Sequence, residues 1–203
     1  VQRTRRREQR ENTRREILAA ADRFLRERPY RDLSLDVVME QTGLTRTAFY
    51  RHFDDVTELV LRLLEDVGAE LYAVAERWLQ GAAEDFPGAA HEGLRGIVDF
   101  FGRHGPLVRA IAEATVTDER IEQVYSGYIE FFIEITARGF DELVAAGELE
   151  VADTRQLARA LSLMNEHYLL DQFGRDPGGD PDVALATLES VWLRVVAAEH
   201  TGR

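Results

Sequence analysis

The sequence predicts an all-α fold of about nine helices, and three observations carry that expectation. Apolar residues recur every three or four positions through most of the chain, the period of a helix with one buried face. No stretch of alternating or continuous apolar residues reads as a strand. Capping residues and Gly or Pro punctuate the periodic segments at intervals suited to helices of ordinary length.

Taken in order, residues 1–11 are a basic segment. Thr13 followed by Glu16 has the spacing of a capping box, and Ile17, Leu18, Ala21, Phe24 and Leu25 continue at helical spacing. A first helix is therefore expected from Thr13 to about Arg28, ended by Pro29. Ser34 is placed to cap a short helix running to about Gln41, and Gly43 supplies the left-handed residue that ends it. Leu44 plugs the turn, and Thr45 caps a second short helix carrying Arg46, Thr47, Tyr50, Arg51 and His52. Val37, Val38, Leu44, Ala48, Phe49 and Phe53 are spaced to face inward and lock the pair. Residues 34–53 thus read as a helix-turn-helix, whose second helix enters a DNA major groove.

Asp55 and Glu58 open a further capping box, for a long helix to about Gln80, and residues 81–88 read as a loop. Helices follow at about 90–104, 106–116, 118–146, 153–173 and 181–200, separated at Gly105-Pro106, Thr117-Asp118, Ala146-Gly147 and the loop 174–182. The helix at 118–146 is apolar over most of its circumference, as expected of one buried among others. The last two helices carry apolar stripes (Leu157, Leu161, Met164, Tyr168; Leu188, Val191, Trp192, Val195) with Leu163, Leu170, Leu193 and Val196 off them. Two faces suit two partners: the subunit's own core and a second subunit. The division expected is 1–58 for DNA binding and 59–203 for ligand binding and dimerisation.

The net charge of −12 divides unevenly. Residues 1–53 hold 13 Arg against 8 acids, whereas the remaining 150 residues hold 12 Arg against 29 acids. A basic front on an acidic body suits a protein that docks on duplex DNA by one end. There is no cysteine, so disulfide, thiol and cysteine–zinc chemistry are excluded. The five histidines are scattered, and neither a metal site nor a cofactor is expected. No Gly-rich nucleotide loop or nucleophile–base pair argues for an enzyme. No apolar run is long enough to span a membrane and no secretory segment is visible, so a cytoplasmic location is expected.

Arg46, in the first turn of the recognition helix, is placed to read a base edge, where a bidentate Arg–guanine contact discriminates by ~1–3 kcal/mol. Arg51 lies farther round the helix and is suited to a phosphate. Tyr50 and His52 can donate to phosphates, and Thr45 and Thr47 can serve a phosphate or a thymine methyl. Arg5, Arg6 and Arg7 read either as an arm following the minor groove or as a solubilising tail. In the C-terminal part, the excess of aromatic and small residues predicts a pocket for a mostly apolar ligand. Its candidate lining is Ile97, Phe101, Tyr125, Ile129, Phe132, Thr136, Asn165, Glu166, Tyr168, Phe173 and Trp192. Asn165 falls mid-helix between apolar neighbours, where its amide meets either a ligand or an internal partner.

Over about residues 13–64, Phe24, Ser34, Gly43, Leu44-Thr45 and Phe49-Tyr50-x-x-Phe53 resemble the TetR family of bacterial transcriptional regulators. LSLMNEHYLL at 161–170, Phe131-Phe132 and Trp192 are similar to the mycobacterial ethionamide-resistance repressor subgroup. The resemblance implies a homodimer joined through the last two long helices, an operator duplex as partner, and an apolar small-molecule effector that releases it. It also implies DNA contacts at Thr45, Arg46, Thr47, Tyr50 and His52, with Ser34 at a phosphate. One departure stands out: the family usually has a lysine after the Phe, and here Val56 sits amid Asp54, Asp55 and Thr57. The competing expectation is a helical ligand-binding or interaction protein with weakened DNA binding.

Overall fold

The structure is a computed structural model, described for residues 2–81 and 85–197. Among the described residues it has eight α-helices, one 3-10 turn and no strand. The helices are α1 (Gln2–Glu27), α2 (Leu35–Thr42), α3 (Arg46–Phe49), α4 (Val56–Gly81), α5 (Phe86–Ala114), α6 (Glu119–Ala146), α7 (Thr154–Phe173) and α8 (Pro181–Ala197). Residues 82–84, within the expected loop, and 198–200, at the expected end of the last helix, lie outside the described residues.

Two expected boundaries are corrected, besides the start of α5, which at Phe86 takes in residues 86–88 of the expected loop. The first helix does not start at Thr13; it starts at Gln2 and takes in the basic segment. Arg, Glu and Gln are good helix formers and nothing from 2 to 12 breaks a helix. Thr13 is no cap: its hydroxyl donates back to the Gln9 carbonyl at 3.1 Å. The second correction is at Gly105-Pro106, where one continuous helix, α5, replaces the two expected. Pro106 leaves the Gly102 carbonyl without its helical donor. That carbonyl belongs to an exposed residue, so water can serve it, while Gly105, Pro106, Leu107 and Val108 are buried and held by packing. Gly105 permits a close approach: a Cβ there would lie 2.1 Å from the Phe173 carbonyl oxygen.

The chain forms two compact units. The first takes the described residues of Val1–Asp66 and Pro106–Tyr125, and the second those of Val67–Gly105 and Ser126–Arg203. Helices α4, α5 and α6 each contribute residues to both. The first unit is centred on Ile17, Leu25, Val38, Phe49, Phe53, Leu59, Leu107, Ile111 and Ile121, all at most 2% exposed. Each such side chain contributes ~1.5–3 kcal/mol by leaving water. The second unit's core includes Val98, Phe100, Ile133, Phe140, Leu143 and Leu169, together with Trp78 and Trp192. No helix among the described residues is long and apolar enough to cross a membrane.

Candidate nucleic-acid interface and effector region

The helix-turn-helix is built from local signals that the structure realises. Ser34 caps α2, its hydroxyl accepting from the Val37 N–H at 3.3 Å. Gly43 ends α2 with φ 67°, and Thr45 caps α3 by accepting from the Ala48 N–H at 3.2 Å. The α-helical part of the recognition segment covers only Arg46–Phe49; residues 50–52 continue it as a turn, with the His52 N–H donating to the Phe49 carbonyl. Val38, Phe49 and Phe53 are buried as expected, whereas Val37, Leu44 and Ala48 are half-buried. Met39 completes the inner face, one residue beyond Val38, a place that helical spacing alone does not single out.

Those anchors leave a polar face outward. Ser34, Thr45, Arg46, Thr47, Tyr50 and Arg51 are all exposed, Tyr50 at 57%, and His52 is half-buried. Tyr50 stands edge-on to Phe49, ring centroids 5.6 Å apart, so a buried ring steadies an exposed phenol. Arg46 is ion-paired with Asp36 on α2. Burial lowers the His52 pKa, and the nearby Arg10, Arg14 and Arg51 lower it further, against Glu11. Burial is the larger cause, and the three arginines beside the ring add a positive potential on this face.

Of the acids that follow the recognition segment, Asp55 and Glu58 are engaged internally, while Asp54, exposed, takes part through its backbone N–H. Asp55 accepts from the Glu58 N–H at 2.7 Å and pairs with Arg120 at 2.7 Å, while Glu58 reaches back to the Asp54 N–H at 2.6 Å. A three-membered hydrogen-bond node that nothing in the sequence announces lies close by. Asp118 accepts from Thr57 at 2.6 Å and from Tyr30 at 3.0 Å. Residues 61 and 88 positions apart share no period, so only the tertiary fold brings them together.

In the second unit the sequence-predicted ligand residues are unevenly placed. Phe101, Thr136, Asn165, Phe173 and Trp192 are buried; Ile97, Ile129, Phe132, Glu166 and Tyr168 are half-buried. Tyr125, also half-buried, falls in the first unit. Asn165 and Trp192 meet directly, the indole N–H donating to the amide oxygen at 3.1 Å. Trp192 also packs on Trp78 (5.4 Å) and Phe140 (5.9 Å), and Trp78 on Phe86 (5.8 Å). Trp78, Phe86 and Phe140 are not among the sequence-predicted lining. Trp78 is 5% exposed, yet its indole N–H has no acceptor among the described residues. Its position in an amphipathic long helix marks it only as core.

The comparisons with known proteins agree with this geometry. The family described as "Bacterial regulatory proteins, tetR family" matches residues 17–63, and "Transcriptional regulator EthR, C-terminal domain" matches residues 90–198. The HTH-type transcriptional regulator EthR of Mycobacterium tuberculosis H37Rv is 29% identical over 191 residues, covering 91% of this chain and 87% of that protein. EthR of Mycolicibacterium smegmatis is 27% identical over 186 residues, covering 89% and 84%. Among solved structures, a TetR-family regulator from Syntrophomonas wolfei superposes with TM-score 0.74 at 15% identity, covering 92% of this chain and 96% of that one. PfmR from Thermus thermophilus superposes with TM-score 0.72 at 17% identity, covering 89% and 97%. Those structures speak for the fold; the two sequence families, the second spanning over half the chain, speak for descent. The chain belongs to the TetR family of bacterial transcriptional regulators, with a C-terminal domain of the EthR type.

Proposed function

We propose that the protein is a homodimeric repressor that leaves its operator when an apolar small molecule enters the C-terminal domain. The DNA-binding part is assigned to residues 1–58 and effector binding and dimerisation to 59–203. The observation that carries the DNA half is the exposed face of Thr45, Arg46, Thr47 and Tyr50 on a segment anchored by buried Phe49 and Phe53. Exposed Leu163 on α7 and Leu193 on α8 support dimerisation through those helices. The off-stripe Leu170 is half-buried, and the side chain of Val196 lies outside the described residues.

The effector half rests on the aromatic cluster of Trp78, Phe86, Phe140 and Trp192. A buried indole N–H ordinarily finds a partner. The unpaired donor on Trp78 favours an effector with a hydrogen-bond acceptor on an otherwise apolar body. Asn165 serves this site through its bond to Trp192. Binding then shifts the population toward a dimer whose recognition segments no longer match successive major grooves, about 34–36 Å apart. The pairing of Asp55 with Arg120 disfavours the alternative of a protein with weakened DNA binding, since it removes one of the two neighbouring acids from competition with phosphates.

The two tryptophans of the chain both lie in the cluster, so intrinsic tryptophan fluorescence reports on it alone. An apolar acceptor-bearing molecule that quenches this fluorescence saturably should weaken operator binding by about tenfold or more, the scale of ordinary allosteric coupling. A molecule that saturates the quenching and leaves operator affinity unchanged rejects the effector mechanism.

A further inference from the structure

Between the N-terminal stretch of α1 and the recognition segment lies a cleft of about 400 Å³. One wall carries Arg6, Gln9, Arg10 and Thr13, spaced so that they share a face of α1. The other carries Leu44, Ala48, Arg51 and His52, with Leu44, Ala48 and Arg51 again at helical spacing. Arg10 donates to the backbone carbonyl of Arg51 at 3.3 Å, which ties the two walls together. Elsewhere in this unit Arg26, Arg46, Arg62, Arg109 and Arg120 each hold a carboxylate. Arg6, Arg10 and Arg51 hold none among the described residues. Three arginines line this cleft, beside the face assigned to DNA, with no ion-paired carboxylate among the described residues; Glu11 near His52 is the one acid that acts on that histidine.

We propose that this cleft seats one backbone phosphate of the operator strand, held by Arg6, Arg10 and Arg51, with the adjoining deoxyribose on Leu44 and Ala48. The inference rests on the DNA-binding reading above and replaces the minor-groove arm with a helical phosphate clamp. Guanidinium forks match phosphate oxygens and retain their charge at any working pH. The apolar floor favours a sugar-phosphate over a free anion, because an inorganic phosphate offers nothing to cover Leu44 and Ala48. His52, at the cleft edge, faces Arg10, Arg14 and Glu11 on α1 and Arg51 on its own segment. A phosphate arriving among these groups offsets the arginines and raises the His52 pKa from its lowered value. Duplex binding therefore takes up a proton, and affinity rises as pH falls.

The test compares wild type, Arg6→Ala, Arg6→Lys and His52→Gln on a specific and a scrambled duplex, over a range of salt and pH. Arg6 is exposed and has no ion-pair partner among the described residues, so its loss leaves folding intact. For Arg6→Ala the log–log salt slope should become shallower by about 0.9, one phosphate contact, and affinity should fall several-fold equally on both duplexes. Arg6→Lys should restore the slope. Wild-type affinity should rise toward about pH 6 and His52→Gln should flatten that rise. An unchanged slope for Arg6→Ala, in a wild type that still prefers its specific duplex, overturns the clamp and leaves the regulator reading standing. Absence of specific binding by the wild type overturns both. Displacement of duplex by millimolar inorganic phosphate at matched ionic strength overturns the clamp by reassigning the cleft to a free anion.

Discussion

Trp192 donates its indole N–H to the amide oxygen of Asn165 at 3.1 Å, with both side chains at most 5% exposed. This bond joins α7 to α8 inside the second unit, where water cannot replace either partner. Asn165→Ala should therefore leave a buried donor unpaired and destabilise the fold by about 1–3 kcal/mol beyond the packing lost. Urea unfolding of Asn165→Ala, Trp192→Phe and the double variant measures it. The double variant should cost less than the sum of the single ones, because each single change orphans the other's polar atom.

Glycine is required at two positions for different reasons. Gly43 has φ 67° with open space around it, so Gly43→Ala should cost about 1 kcal/mol through backbone strain alone. Gly105 is helical, but a Cβ there meets the Phe173 carbonyl oxygen at 2.1 Å. Backbone cannot step aside as a side chain can. Gly105→Ala should thus cost about 1–3 kcal/mol, and more than Gly43→Ala, in thermal unfolding of the two variants side by side.

Acid should unlock the Tyr30–Thr57–Asp118 node. Burial raises the Asp118 pKa, but hydrogen bonds from Thr57, Tyr30 and the Ile121 and Arg120 amides outweigh it and hold it below the ordinary value. A carboxylate with a depressed folded-state pKa stabilises the fold above its unfolded pKa, and that contribution disappears as pH falls through the folded one. Wild type should lose more stability than Asp118→Asn between about pH 4 and pH 2. Burial, followed by the opposing Thr57 bond and the Asp118 carboxylate, leaves the Tyr30 phenol with a raised pKa. Its proton therefore stays available to the node, and Tyr30→Phe should reduce the acid dependence in the same direction.

If Arg46 contacts DNA as proposed, Asp36 should compete with the duplex for it. Their side chains are paired and both largely exposed, so the pair itself stabilises the fold little. On a duplex, Arg46 must leave a carboxylate that the phosphates also repel. Asp36→Asn should strengthen duplex binding several-fold at low salt with little change in unfolding midpoint. Titration of labelled duplex into the two proteins checks it.

The parts of the fold that are legible in sequence are those made by neighbours along the chain. Ser34, Gly43, Thr45 and Asp55 declare their caps and turns within a few residues, and the helix-turn-helix follows from them. Thr13 misleads because a capping pattern is also compatible with a helix interior, and the helix-forming run of 2–12 decides between them. Pro106 misleads because tertiary burial on both sides holds together a helix that local chemistry alone would break. The cleft at Arg6, Arg10 and Arg51 is half visible: the charge is evident, but its place beside Leu44 and Ala48 depends on α1 reaching back to Gln2. The unpaired indole N–H of Trp78 and the Tyr30–Asp118 bond leave no trace in the sequence.

Sequence-specific DNA binding underlies every other step. The deciding measurement is equilibrium binding of the wild type, Arg46→Ala and Tyr50→Ala to the duplex flanking the protein's own gene and to a scrambled duplex, over a range of salt. The expected result is a steep salt dependence and a clear preference for the flanking duplex, with that preference lost in both variants. Absence of salt-dependent binding by the wild type to any duplex, a randomised pool included, would overturn the assignment as a DNA-binding regulator.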